Sequence, residues 1–238
     1  MADERPRAAR RTADLDTEKR IAAERSLAYV ENGMAIGLGT GSTAEHMIRL
    51  LGERVRRGLD VRAVPTSERT RRAAEAAGIA LTTLDACPRL DLTIDGADEV
   101  DPALDLIKGG GGALLREKVT AAASARLVIV VDSAKPVARL GAFPLPVEVS
   151  TFAWRLVAER IARLGVAPAL RRGEGGMPAR TDGGGYILDC PFGAIADAAA
   201  LAAELDSIPG VLEHGLFVGM ASVVLVGRGR TVEVLQRP

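Results

Sequence analysis

With 238 residues, 47% of them apolar and 26% charged, the chain is long and balanced enough to bury one large core or two modest ones. Lysine plus arginine equals aspartate plus glutamate at 31 each, and aromatics are only 3%, so neither a broad positive field nor a stacking surface for nucleic acid is present. No apolar run reaches membrane-spanning length, and Cys87 and Cys190 lie too far apart for a CxxC site, which fits a reducing, cytoplasmic compartment.

The arginine-rich opening, residues 1–14, includes Asp3 and Glu4 and lacks the apolar stretch of a signal peptide; it reads as a flexible tail. Helical spacing of Ile21, Leu27 and Val30 predicts a helix over 16–30. Short apolar runs then predict strands at 34–38, 61–64, 90–94 and 127–131, alternating with helices at 43–56, 67–77 and 113–124. Such alternation implies βαβ crossovers and a doubly wound, mainly parallel sheet, with ligands at the carboxyl ends of its strands.

From residue 145 the pattern changes. A strand at 145–149, a helix at 152–164, strands at 169–172 and 186–188, a helix at 194–205 and a strand at 211–217 follow in order, with Gly183, Gly184 and Gly185 in the central hairpin. That β-α-β-β-α-β order matches the ferredoxin-like split unit. Strands at 222–226 and 231–235 rejoin the first sheet. The expected α/β organisation is therefore one domain of 15–144 and 218–238, interrupted by a smaller α+β domain of 145–217.

Three stretches carry the chemistry. Gly37-Leu38-Gly39-Thr40-Gly41-Ser42-Thr43 follows a strand and opens a helix. It lacks the third glycine of a dinucleotide fingerprint and the GK[ST] of a P-loop, leaving a glycine turn with three hydroxyls at a helix N-terminus, where N–H groups and dipole favour an anion. The alternative is a tight turn in which Ser42 or Thr43 caps the helix. Next, Asp95-Gly96-Ala97-Asp98-Glu99 gathers carboxylates at a strand's carboxyl end. The spacing rules out an EF-hand loop and leaves magnesium open. Finally Lys108 precedes Gly109, Gly110, Gly111 and Gly112, and Glu117 lies about one turn into the following helix. Four glycines leave the backbone bare to a ligand at a substantial entropic cost. Read alone, Glu117 is an ordinary surface glutamate. His46 and His214 lack a metal-binding spacing and read as packing residues, as does the lone Trp154.

Taken together these residues resemble ribose-5-phosphate isomerase of type A. The matching blocks are GLGTGST at 37–43, DGADE at 95–99, KGGGGALLREK at 108–118, DSAK at 132–135 and FPLPVEV at 143–149, with SIPGV at 207–211 and GLF at 215–217. They run in the family's order and cover nearly everything after Asp16. The resemblance implies a Rossmann-like domain, an inserted ferredoxin-like domain and a homodimer or homotetramer. It implies that Glu117 is the general base and that Asp95, Asp98 and Lys108 complete the catalytic set. Substrate contacts carry over to Thr40, Gly41, Ser42, Thr43, Asp95, Gly96, Ala97, Asp98, Lys108, Gly109, Gly110, Gly111 and Lys135, and a phosphate contact to Lys19. The chain departs from the family at 172–185, where its hairpin is longer and richer in glycine.

An aldose–ketose interconversion moves a proton from C2 to C1 through an enediol. Its base must be ionised at rest yet basic, and burial and an adjacent ammonium pull a glutamate in opposite directions. No step needs a metal or another cofactor. The expected partner is a small sugar phosphate, with neither nucleic acid nor membrane. Two rival readings remain at this stage, an amino-sugar-phosphate deaminase and a non-catalytic sugar-phosphate sensor.

Overall fold

The computed structural model describes residues 5–237, with side chains over 14–237. In chain order the first elements are α1 (Arg5–Ser26), β1 (Ala35–Leu38), α2 (Ser42–Arg56), β2 (Arg62–Pro65), α3 (Glu68–Ala76), β3 (Ala80–Leu81) and β4 (Leu92–Asp95). Next come β5 (Glu99–Val100), β6 (Leu106–Ile107), α4 (Leu114–Ala122), β7 (Leu127–Asp132), β8 (Leu145–Val149), α5 (Trp154–Ala162) and β9 (Ala169–Leu170). The last are β10 (Tyr186–Cys190), α6 (Ala198–Asp206), β11 (Val211–His214), β12 (Leu216–Phe217), β13 (Val223–Arg228) and β14 (Thr231–Gln236). Of the segment expected as a tail, residues 1–4 lie outside the described residues and 5–14 form the start of α1.

The chain divides into two compact units, one of Met1–Gly96, Ala123–Lys135 and Ser222–Pro238, the other of Ala97–Ala122 and Pro136–Ala221. The first holds a seven-stranded sheet in the order β14-β13-β7-β4-β1-β2-β3. Every pairing is parallel except β13 with β14. All six residues of β7 and all four of β1 and β4 are buried, as strands covered on both faces must be. Ile36, Leu38, Ile94, Val128 and Val130 pack with Ala22, Ala23 and Leu27 of the N-terminal segment and Met47 and Leu51 of α2. Alternation along the strands sends the intervening residues to the opposite face. A Cβ on Gly227 would overlap the Glu18 backbone, so α1 and β13 meet without side chains between them.

The second unit contains a four-stranded antiparallel sheet, β11-β8-β10-β9, and a three-stranded one, β12-β6-β5. Its core gathers Leu145, Val147, Val149, Val157, Ile161, Leu188 and Leu205 from β8, α5, β10 and α6. Trp154 packs here, edge-on to Tyr186. The strand expected over 211–217 is in fact two strands in different sheets, broken at Gly215. A Cβ there would overlap the Lys108 carbonyl, and the Lys108 N–H donates to Gly215 O at 2.9 Å. Glycine at this position lets the two backbones touch. No helix among the described residues is long and apolar enough to cross a membrane.

Candidate active site

In the first unit the turn after β1 is built around Asp95, the last residue of β4, which is 1% exposed. Gly39 N–H donates to Ile94 O at 2.9 Å, and Thr40 N–H to Asp95 Oδ1 at 3.1 Å. Gly96 N–H reaches the same oxygen at 2.7 Å. A Cβ on Gly39 would overlap this carboxylate, so that glycine is required for Asp95 to lie against the turn. The Thr40 hydroxyl lies 2.8 Å from Thr66 Oγ1, 2.8 Å from Ser67 Oγ and 3.1 Å from Thr70 Oγ1. Ser67 meanwhile caps α3 by accepting Thr70 N–H at 3.0 Å.

Helix α2 begins at Ser42 with Gly41 as its N-cap, at φ 120° and ψ 174°. The cap therefore has no side chain, and neither Ser42 nor Thr43 occupies the capping position. That leaves the first N–H groups of α2 to be met by water or an anion. At the carboxyl end of β7, Lys19 Nζ lies 3.9 Å from buried Asp132 Oδ2. Half-buried Lys135 follows shortly, its N–H on Asp132 O at 3.2 Å.

The second unit brings Lys108 and Glu117 together. Their side chains are 3% and 5% exposed, and Nζ stands 3.4 Å from Oε2. Lys108 leaves β6 at its end, while Glu117 is buried in the first turn of α4. The surface glutamate that sequence alone favoured is thus a buried carboxylate held against a buried ammonium. A buried pair of this kind costs desolvation, and removing either partner is more costly still. Phe217 lies beneath Lys108 Nζ, 5.4 Å from its ring centroid. Asp98 accepts Gly110 N–H at 2.7 Å, and a Cβ on Gly110 would overlap that carboxylate. Gly110 and Gly111 are exposed, while Gly109 is buried against Leu114 and Pro146. Ala97 is half-buried.

Several residues are placed differently from their reading in sequence. Glu99, last of the acidic cluster, is buried and accepts Gly141 N–H at 2.6 Å and Phe143 N–H at 2.5 Å, so it anchors a loop. His46 bonds Asp16 at 3.0 Å near the surface. His214 is buried, and with Asp206 and Glu213 it forms a group of potential metal ligands within 4.8 Å of one another. Lys118 already supplies a cation there, its Nζ 2.5 Å from Glu213 Oε1 and 3.3 Å from His214 Nδ1. Burial and then this ammonium lower the His214 pKa. Burial likewise pulls Lys118 down, against the hydrogen bond it donates to Glu213, which holds it up. Cys190 is buried and its thiol pKa is pushed up to about 12, which makes it an inert filler.

An α/β frame carrying a buried carboxylate–ammonium pair beside a bare glycine loop holds the groups that general acid–base chemistry uses. Comparison with known proteins narrows the class. The family model for ribose 5-phosphate isomerase A (phosphoriboisomerase A) matches residues 62–231. A ribose-5-phosphate isomerase A from Nitrobacter hamburgensis is 55% identical over 229 residues, spanning 94% of this chain and 99% of that protein. One from Gloeobacter violaceus is 58% identical over 224 residues, 93% of this chain and 97% of that one. Among solved structures, a D-ribose-5-phosphate isomerase in complex with phospho-erythronic acid superposes with a TM-score of 0.91 at 40% identity, covering 94% and 99% of the two chains. The ribose 5-phosphate isomerase of Plasmodium falciparum gives 0.90 at 36%, covering 94% and 99%. The chain belongs to the ribose 5-phosphate isomerase A family.

Proposed function

We propose that this chain interconverts D-ribose 5-phosphate and D-ribulose 5-phosphate as an aldose–ketose isomerase of the non-oxidative pentose phosphate pathway. The observation that carries this reading is the buried Lys108–Glu117 pair at 3.4 Å, a base and an electrophile already facing each other. Membership of the family supports it. So does the relative solved with phospho-erythronic acid, a phosphorylated sugar acid whose planar carboxylate shares the shape of an enediolate.

In this mechanism Glu117 removes the C2 proton of the open-chain aldose and returns it to C1, while the O2 proton passes to O1. Lys108 stabilises the negative charge that develops on the carbonyl oxygen, usually the largest electrostatic contribution. Asp95 and Asp98 move hydroxyl protons and open the sugar ring. Thr40, Gly41, Ser42 and Thr43 hold the phosphate together with Lys135, and Gly96, Ala97, Gly109, Gly110 and Gly111 line the sugar. Binding energy at the phosphate orients the reacting carbons. Proton transfer within one substrate needs no cofactor.

We read the seven-stranded sheet as Rossmann-like and residues 145–217 as an inserted ferredoxin-like domain. The order β11-β8-β10-β9, with α5 and α6 in the crossovers, supports the latter. The enzyme works in the cytoplasm as a homodimer or homotetramer on this reading, and two free cysteines fit a reducing compartment.

A direct assay of ribulose 5-phosphate formed from ribose 5-phosphate tests the activity; a folded chain without it overturns the proposal. Glu117→Gln is expected to fold and bind sugar phosphate while losing turnover by about 10²–10⁴-fold. Turnover near wild type would remove Glu117 from the base role.

A further inference from the structure

Four consecutive glycines have more conformational freedom to lose than any other run of residues, yet the loop after Lys108 must present its backbone in one geometry. Part of the order is local. Gly109 and Gly112 adopt φ of 103° and 81°, and Gly112 N–H donates to Gly109 O at 3.0 Å. Asp98 takes the N–H of Gly110. The carbonyls are held from elsewhere in the sequence, by Arg171. Its Nη1 donates to Gly109 O at 2.8 Å and to Gly110 O at 3.1 Å. Nε and Nη2 of the same guanidinium bind Asp189 Oδ2 and Oδ1 at 3.0 and 2.5 Å. Arg171 directly follows β9 and Asp189 lies on β10, and those strands pair with Asp189 opposite Ala169. The fork is therefore mounted on the sheet.

We propose that Arg171, braced by Asp189, is a positioning residue for the isomerisation, fixing the 109–112 backbone so that Lys108 and Asp98 meet the sugar in a single arrangement. The inference rests on the function proposed above. Gly110 is gripped on both sides, its N–H by Asp98 and its carbonyl by Arg171, so the orientation of that peptide and the position of the Asp98 carboxylate are set together. Carbonyls turned onto a guanidinium are also withdrawn from the hydroxyl-rich substrate. With Asp189 at 2.5 Å the cation is already balanced, so the contribution is geometry more than charge. Lysine has no fork with which to hold a carboxylate and two carbonyls at once.

Steady-state kinetics on the full chain decide the matter. Arg171→Ala is expected to lower kcat by about 10–100-fold, the scale of an ångström-sized misplacement of reacting groups. Arg171→Lys should recover little of this, whereas added methylguanidinium should restore turnover to Arg171→Ala and urea should not. Arg172→Ala is the matched control. That guanidinium binds Gly176 O in the neighbouring hairpin, and kcat should stay at the wild-type value. Wild-type kcat and KM in Arg171→Ala would overturn the proposal, as would a loss in a natively folded variant that methylguanidinium does not relieve. Should Arg171→Ala not fold, Asp189→Asn decides: a several-fold lower kcat with a native spectrum supports the inference, and an unchanged kcat rejects it. If the wild-type chain itself makes no ribulose 5-phosphate, the functional reading falls and the loop is tested separately by amide hydrogen exchange. Faster exchange at 110–112 in Arg171→Ala would uphold the clamp, and unchanged exchange would reject it.

Discussion

Asp95 and Gly39 illustrate how closely the turn after β1 is packed. One carboxylate oxygen receives two backbone N–H groups, and the turn above it has room only because residue 39 has no side chain. Gly39→Ala is therefore expected to displace the Asp95 carboxylate and lower kcat at least tenfold, alongside an overpacking cost of about 1–3 kcal/mol. Kinetics and urea unfolding on the same preparation separate the two effects; full activity would remove Asp95 from the chemistry. Residues such as Gly39, Asp95 and Lys108 were legible because their types are unusual in their setting: clustered glycines, acids at a strand end, a lysine before a bare loop; Glu117 was singled out only by the family resemblance. Arg171 was not. It stands beside Arg172, identical in type, and only the pairing of β9 with β10 turns one toward the glycine loop and the other toward the hairpin. The hydroxyls of Thr66, Ser67 and Thr70 around Thr40 were equally silent, since they lie at least 26 residues away in the chain.

Among the elements, β1, β4 and β7 could be read from composition because strands covered on both faces are continuously apolar. Helix α1 was placed too late, at 16 instead of Arg5, because its first turns carry arginines and alanines without an apolar period. The two-residue strands β3, β5, β6, β9 and β12 are too short to have a period at all. What ties α1 down is also invisible to periodicity. Glu18 is buried and accepts Ser133 N–H at 2.9 Å and Gly229 N–H at 2.7 Å, joining the helix to the end of β7 and to the β13–β14 turn. Burial pushes its carboxyl pKa up, but the hydrogen bonds from Ser133 and Gly229, with Arg228 nearby, outweigh this and hold it below the ordinary 4.5. The ionised form is thus favoured in the folded state. Its stabilisation is complete above pH 4.5 and drains away as pH falls through the lowered folded value. Glu18→Gln should cost roughly 1.5–3 kcal/mol at neutral pH, with the deficit closing in acid; urea unfolding across pH checks both the size and the sign. A deficit independent of pH would show that the charge of Glu18 is not what matters.

For the molecule as a whole, equal numbers of positive and negative side chains leave recognition of an anion to local groups, and the candidate groups in each unit are glycine turns and single charges. The Asp206–Glu213–His214 group, the one cluster of potential metal ligands among the described residues, already contains the Lys118 ammonium. Isomerase activity is accordingly expected to survive exhaustive chelation with EDTA. Loss of activity restored specifically by magnesium would overturn the cofactor-free mechanism. The alternation of strands and helices was readable from the sequence at this scale. Assignment of 97–122 to the second unit was not, because α4 follows the same apolar rhythm as the helices of the first unit and only its tertiary packing, including contact with β11, sets it apart.

The interleaving of the two units has a consequence for biosynthesis. The backbone passes from one unit to the other after residues 96, 122, 135 and 221, and β7 borders β13, with Val128 opposite Val223. A ribosome that has released 221 residues has delivered all of the second unit but not the strand that covers one side of β7 in the first. Until β13 emerges, the nascent chain carries an open strand edge that is apolar from Leu127 to Val131, the surface most prone to pairing with a stranger. Completion of the sheet therefore waits for β13 and β14 to be translated.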